Sequence, residues 1–174
     1  MEKRSQLKVA MNYGAMYGLC AAALYLIFYF AGADVQSKSP QFIGYLFLII
    51  FLYMGIKSYR DQDLDGYISY GKSLGTGVLI GLFGGIITGF STVLMFTVID
   101  PALAGKILEK VQEQMMEKGT MSEDQVNMAM NMTRKFMSPI FLFLFSIAGS
   151  AFMAFLFSLI VSIFTRKEPS PFQS

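Results

Sequence analysis

From Ser69 to Ile99 the chain reads SYGKSLGTGVLIGLFGGIITGFSTVLMFTVI, and within it Gly77, Gly81, Gly85 and Gly89 recur every four residues. At helical periodicity this spacing lays one bare stripe along an otherwise apolar helix, on which the backbone of a second helix can come close. The segment Leu74–Ile99 carries no charge over 26 residues, more than the roughly 20 that a bilayer core requires of a helix. A stripe that repeats every four residues favours right-handed crossings.

The partners of that stripe are written elsewhere in the chain. Ser146, Ser150, Ala154, Ser158 and Ser162 repeat the same spacing near the C-terminus, and Ala10, Gly14, Gly18 and Ala22 repeat it near the N-terminus. Both rows lie in long charge-free blocks, Val9–Gly32 and Ile140–Phe164. A further span is expected from Pro40 to about Tyr59, its apolar centre Phe42–Ile56 shorter and its end marked by Lys57, Tyr59 and Arg60, whose polar tips can reach the membrane surface. Ser39–Pro40, Ser69, Asp100–Pro101 and Ser138–Pro139 read as helix starts, because a hydroxyl or carboxylate can cap and proline fits the first turn. Val9–Gly32 reads as a span and not as a cleavable leader, despite the small residues Ala31-Gly32-Ala33, because it exceeds the usual length of a leader's apolar region.

Between the third and fourth spans the pattern changes. Leu103, Ile107, Val111 and Met115 recur every four residues with Glu109, Glu113 and Glu117 on another face, the signature of an amphipathic helix too polar to span. Gly119 can end it, and Ser122 with Gln125 resembles a capping box for a second helix to about Phe136, whose soft face is Val126, Ala129, Met130, Thr133 and Met137. The expectation is therefore an all-α integral membrane protein: one membrane domain, 1–174, with spans at about 9–32, 40–59, 72–99 and 139–165. An amphipathic helical hairpin at 101–137 separates the last two spans, and a disordered tail follows at 168–174. The proposed packing residues are Gly14, Gly18, Gly77, Gly81, Gly85, Gly89, Ser150, Ala154 and Ser158.

Composition narrows the function. Of 174 residues 54% are hydrophobic, and 14 basic residues stand against 12 acidic ones, so no polyanion-binding signature is present and nucleic acid is not an expected partner. With no histidine and one cysteine, Cys20, the commonest metal ligand and proton shuttle is missing and no intrachain disulfide can form. The loop Asp61-Gln62-Asp63-Leu64-Asp65-Gly66-Tyr67-Ile68 matches the opening of an EF-hand, but Lys72 occupies the place of the bidentate glutamate. A solvated acidic turn is the expected reading; a weak divalent-cation site at Asp61, Asp63 and Asp65 is the minor alternative. No cofactor and no catalytic residue is expected. Thr76, Thr88, Ser91, Thr92 and the serines of the last helix could line a narrow polar path, although such hydroxyls in membrane helices more often bond to their own backbone or across an interface. Eight basic residues fall on the side of the termini and six on the other, which by the positive-inside rule puts both termini in the cytoplasm and the hairpin outside.

Four of these segments together resemble a known family: Gly66-Tyr67-Ile68-Ser69-Tyr70-Gly71-Lys72 entering the third span, Ile99-Asp100-Pro101 leaving it, Met121-Ser122-Glu123-Asp124-Gln125, and Ser138-Pro139-Ile140. The chain is similar to a set of small bacterial membrane proteins catalogued as a domain of unknown function, number 4199. The resemblance covers nearly the whole chain. It implies four membrane helices with an inserted amphipathic segment, supplies no activity, and does not include the aspartate triplet. The expected function is that of a non-enzymatic inner-membrane bundle acting through helix packing and contact with lipid, another membrane protein or a second copy. A channel or transporter formed by self-association is the alternative, and a cation sensor at the acidic loop is the second.

Overall fold

The computed structural model describes residues 3–33, 38–117 and 122–168. Among them are six α-helices: α1 (Gln6–Phe30), α2 (Lys38–Asp63), α3 (Tyr70–Leu94), α4 (Leu103–Glu117), α5 (Glu123–Phe136) and α6 (Pro139–Thr165). Four helical stretches are long and apolar enough to cross a membrane: Gln6–Phe30, Pro40–Asp63, Tyr70–Ile99 and Pro139–Thr165. Gly119, the expected stop of the first amphipathic helix, and residues 169–174 of the expected tail lie outside the described residues.

Local chemistry sets the helix ends. α1 begins earlier than its apolar run because Ser5 caps it, accepting from the Lys8 N–H at 3.2 Å. It ends in Gly32 at φ +70°, so the small residues weighed above as a leader cleavage site form a left-handed helix stop. α2 begins at Lys38, which places Ser39 inside the first turn and not at the cap, and continues past Tyr59 to Asp63. The bend that follows turns on Asp65 at φ 52° and Gly66 at φ 85°, two successive left-handed residues of the types that tolerate that region best. Ser69 then accepts from the Lys72 N–H at 3.4 Å and starts α3.

The third span reaches Ile99, but its last turn, Met95–Ile99, is π-helical, closed by the Asp100 N–H on the Met95 carbonyl at 2.9 Å. Such a widened turn is uncommon inside a helix and shifts the facing of the residues beyond it. Asp100 then turns the chain, its Oδ1 accepting from Ala102 N–H at 3.1 Å. Ser122 and Gln125 form the reciprocal capping box at the start of α5.

The chain divides into two compact units, one formed by residues up to Thr88 together with those from Ser146 onward, the other by Gly89–Phe145. In the first, α1 and α2 pack along each other, and the core gathers Ala10, Tyr17, Leu48, Phe51, Leu52, Ile80 and Ala154. A second cluster, Val9, Ile56, Tyr59, Ile68 and Val161, sits next to the polar end of the same helices. Leu19, Ile27, Ile160 and Phe164 are among the large apolar side chains left exposed, as expected of surfaces solvated by lipid.

In the second unit α4 and α5 pack together. Leu103, Val126 and Met130 are buried, while Glu109, Glu113 and Glu117 face outward. The face Val126, Ala129, Met130, Thr133 and Met137 is turned inward, and a different row of α5, Met128, Met132 and Phe136, is exposed.

Candidate functional site

Two arrangements in the first unit use the residues singled out above. The first is the seam around α3. Gly77 faces Ser158, Gly81 faces Ala154 and the Ser150 carbonyl, and Gly85 faces Ile147 and Ser150. A Cβ placed on Gly81 would lie 2.8 Å from the Ser150 carbonyl oxygen, and one on Gly85 would lie 2.8 Å from the Ile147 Cα, so the two backbones meet at a separation that only glycine permits. Ser150 Oγ donates to the Gly81 carbonyl at 2.8 Å, joining the helices directly. On another side of α3, Gly14 meets Ile80, Phe83 and Gly84, and Gly18 meets Ile87 and Gly84. α3 is thus approached closely by α1 and by α6. Gly89 belongs to the second unit, where it lies against the Phe143 ring.

The Ser158 and Ser162 hydroxyls are buried on this seam without a hydrogen-bond partner. Ser158 Oγ sits where the side chain of Gly77 would begin, a position suited to a weak Cα–H···O contact. Two of the threonines that a polar path would need are bonded to their own helix: Thr76 to the Lys72 carbonyl at 2.7 Å and Thr88 to the Gly85 carbonyl at 3.2 Å.

The second arrangement is a polar belt at the end of the unit where α1 and α3 begin and α2 and α6 end. Asp63, its side chain only 3% exposed, receives Arg4 three times: Nη2 on Oδ2 at 2.8 Å, Nε on Oδ1 at 3.2 Å and the Arg4 backbone N–H on Oδ1 at 2.6 Å. The same guanidinium donates to Ser58 Oγ at 3.1 Å and Gln62 Oε1 at 2.7 Å. The bond to Asp63 raises the Arg4 pKa against the opposing effect of burial. Gln6 Nε2 reaches Thr76 Oγ1 at 3.1 Å, Ser73 and Thr165 share a hydrogen bond of 2.8 Å, and Arg60 Nη1 donates to the Thr165 carbonyl at 2.9 Å. Ile68 and Lys167 exchange two backbone hydrogen bonds, at 2.9 and 3.0 Å.

The acidic loop is part of this belt, and its carboxylates diverge. Asp61 pairs with Arg60, Asp63 with Arg4 and Asp65 with Lys3. Among the described residues no group of three or more His, Cys, Asp or Glu is placed to hold a metal ion. The spacing that resembled a cation loop is realised as three separate ion pairs, each carboxylate held by a cation of the chain itself.

A cleft of about 460 Å³ opens beside these pairs, lined by Lys3, Lys72 and Lys167 together with Tyr67, Ser69 and Glu168. Neither the Arg4–Asp63 bond nor the meeting of the three lysines has a local signal, since each joins segments far apart in the chain.

Four apolar helices of spanning length, a seam of small residues and polar groups collected at the helix ends define a helical membrane protein. Within that class the chain belongs to the family described as Protein of unknown function (DUF4199), whose model matches residues 12–167. Comparison with the curated proteins and with the solved structures gives no match.

Proposed function

We propose that the protein is a non-enzymatic integral membrane protein of an inner membrane, with both ends of the chain in the cytoplasm, that acts through a lipid-contacting amphipathic segment carried on its helical bundle. The observation that carries this reading is the exposed row on α5. Met128, Met132 and Phe136 are 70%, 55% and 44% exposed and follow one another at four-residue spacing, so they form one apolar edge. Phe136 makes edge contacts with Phe141 and Phe145 of α6, both at 5.7 Å between ring centroids. The row therefore runs into aromatic rings of α6, a helix long and apolar enough to cross a membrane. Exposed Arg134 and Lys135 flank it, where cations suit the headgroup region of an interfacial helix. The polar side chains of the first unit support the same reading, because Arg4, Asp63, Ser73 and Thr165 are engaged in tying helix ends together.

The test is a nitroxide label at Met132, introduced as Met132→Cys in a Cys20→Ser background and reconstituted into bilayers. Collision with dissolved oxygen should exceed collision with a water-soluble nickel chelate. A label as open to the chelate as one at exposed Lys110 would overturn the reading. A label shielded from both reagents would overturn the lipid contact in favour of a protein partner.

A further inference from the structure

We propose that the cleft at the polar end of the first unit binds the phosphate of an anionic phospholipid headgroup between the ammonium groups of Lys72 and Lys167, with Lys3 at its rim. This site lies on the unit that does not carry the α5 row and stands independently of the reading above. Three lysines from three distant segments converge on one cleft of about 460 Å³, a volume within the usual range for small ligands. Lys72 Nζ lies 5.7 Å from the Tyr59 ring and Lys167 Nζ lies 5.6 Å from the Tyr67 ring. Neither ammonium has an ion-pair partner within 4.0 Å among the described residues, and each lies near an aromatic face.

Two of the three acids in the same lining are engaged by other cations. Asp63 is taken by Arg4 and Asp65 by Lys3 at 2.6 Å, which leaves exposed Glu168 at the edge. The cleft is also built in advance. Lys167 is fixed by the paired backbone bonds to Ile68, and the adjoining Thr165 carbonyl is clamped by Arg60. Lys72 stands in the capped first turn of α3, where free backbone N–H groups add positive potential. The cleft opens beside the ends of four helices of spanning length, with Tyr67 in its lining, and the ends of membrane helices are where lipid phosphates are met.

The experiment is native mass spectrometry of the full chain in a mild non-ionic detergent, with short-chain phosphatidylglycerol, phosphatidylcholine of the same chain length, or inorganic phosphate added. The wild type should retain one phosphatidylglycerol per chain in preference to phosphatidylcholine. Lys72→Gln/Lys167→Gln should weaken that retention about tenfold or more, two charge-assisted bonds being lost, while Arg166→Gln, which removes a neighbouring charge outside the cleft, should leave it unchanged. Competition by millimolar inorganic phosphate would support the site and show that the phosphate group alone is recognised; retention that resists it would support the lipid as the source. Equal retention of the two lipids, or retention unchanged in the double variant, would overturn the proposal. Should the double variant fail to purify folded, Lys72→Gln and Lys167→Gln taken singly must each weaken binding, and the absence of any effect in both would overturn it equally.

Discussion

The sharpest consequence of the seam concerns Gly77. Replacing it with alanine puts a methyl group on Ser158 Oγ and 2.8 Å from Ser158 Cβ. The hydroxyl can rotate away, but the Cβ is fixed to the backbone of α6, so the helices must separate. Overpacking of that kind costs about 1–3 kcal/mol. Against it stands the ordinary preference of a helix for alanine over glycine, up to about 1 kcal/mol. Gly149, on α6, has open space around it, so Gly149→Ala experiences only the favourable term. The difference between the two substitutions therefore isolates the packing cost, about 1–3 kcal/mol, or roughly five- to 160-fold in the folding equilibrium.

Ser158→Gly removes both clashing atoms, so Gly77→Ala/Ser158→Gly should recover most of the loss, whereas Ser158→Ala, which keeps the Cβ, should recover only part. The assay is reversible unfolding of the purified chain in mixed micelles with rising sodium dodecyl sulfate, followed by circular dichroism, with all variants forming a double-mutant cycle. The expected coupling between positions 77 and 158 is about 1–3 kcal/mol. A coupling inside the additivity limit of about 0.5 kcal/mol, or equal stabilities for Gly77→Ala and Gly149→Ala, would refute the close approach of α3 and α6 at this point.

Other perturbations separate the ion pairs and caps by their surroundings. Asp63→Asn strips the charge that Arg4 binds in a nearly buried position and should cost about 2 kcal/mol, read as a lower thermal midpoint in detergent; a shift no larger than that of Lys3→Ala would contradict it. Lys3→Ala removes a pair whose partners are 58% and 76% exposed, and its effect should stay under about 0.5 kcal/mol and vanish in high salt. Ser122→Ala opens the capping box of α5 and should destabilise that helix by about 1 kcal/mol, seen as faster amide exchange confined to α5 and its neighbours; unchanged exchange would argue against the cap. Gly66→Ala forces a methyl group onto a residue at φ 85° and should cost about 1 kcal/mol, whereas Gly105→Ala, in open space, should be neutral or mildly stabilising.

What the sequence makes legible follows from how far each interaction reaches along the chain. The small residues of α3 and α6 advance by the same four-residue step, so a helix that runs up one row runs down the other and every contact follows from the first: Gly77 with Ser158, Gly81 with Ala154, Gly85 with Ser150. Ser69, Ser122 and the Asp65-Gly66 bend are local devices, and local chemistry suffices to read them. Arg4 and Asp63 carry no such signal, because a basic residue near one span and an acid beyond another have many alternative partners until the helices are placed. The aspartates illustrate the same limit from the other side. Their spacing suggests convergence on one ion, yet α2 continues in helical form to Asp63, which sends consecutive acids in different directions. The π-turn at Met95–Ile99 is a change of hydrogen-bond register within an unbroken apolar run, and hydropathy is blind to it.

α5 shows where pattern and packing part. It carries two apolar rows, Val126, Ala129, Met130, Thr133, Met137 and Met128, Met132, Phe136, and the sequence reads the longer one as a soft face for a core, the membrane or a partner without choosing among them. In the structure the longer row is turned inward and the shorter one is exposed. The reason lies in how little else the second unit has for a core: among the described residues its buried apolar side chains are, apart from Met95, Leu103, Val126 and Met130, so the larger row is consumed in holding α5 to its neighbours. An amphipathic pair with so small a core draws little stability from its own packing. Its second apolar edge stands in the same relation to the surroundings as the exposed rings of α6, whose phenylalanines meet Phe136 directly. α6 is long and apolar enough to cross a membrane, so a bilayer around those rings would also reach the helix end that touches them. On the reading proposed above, the exposed methionines would extend the membrane-facing surface of the protein beyond its four spans, as the apolar edge of an amphipathic segment.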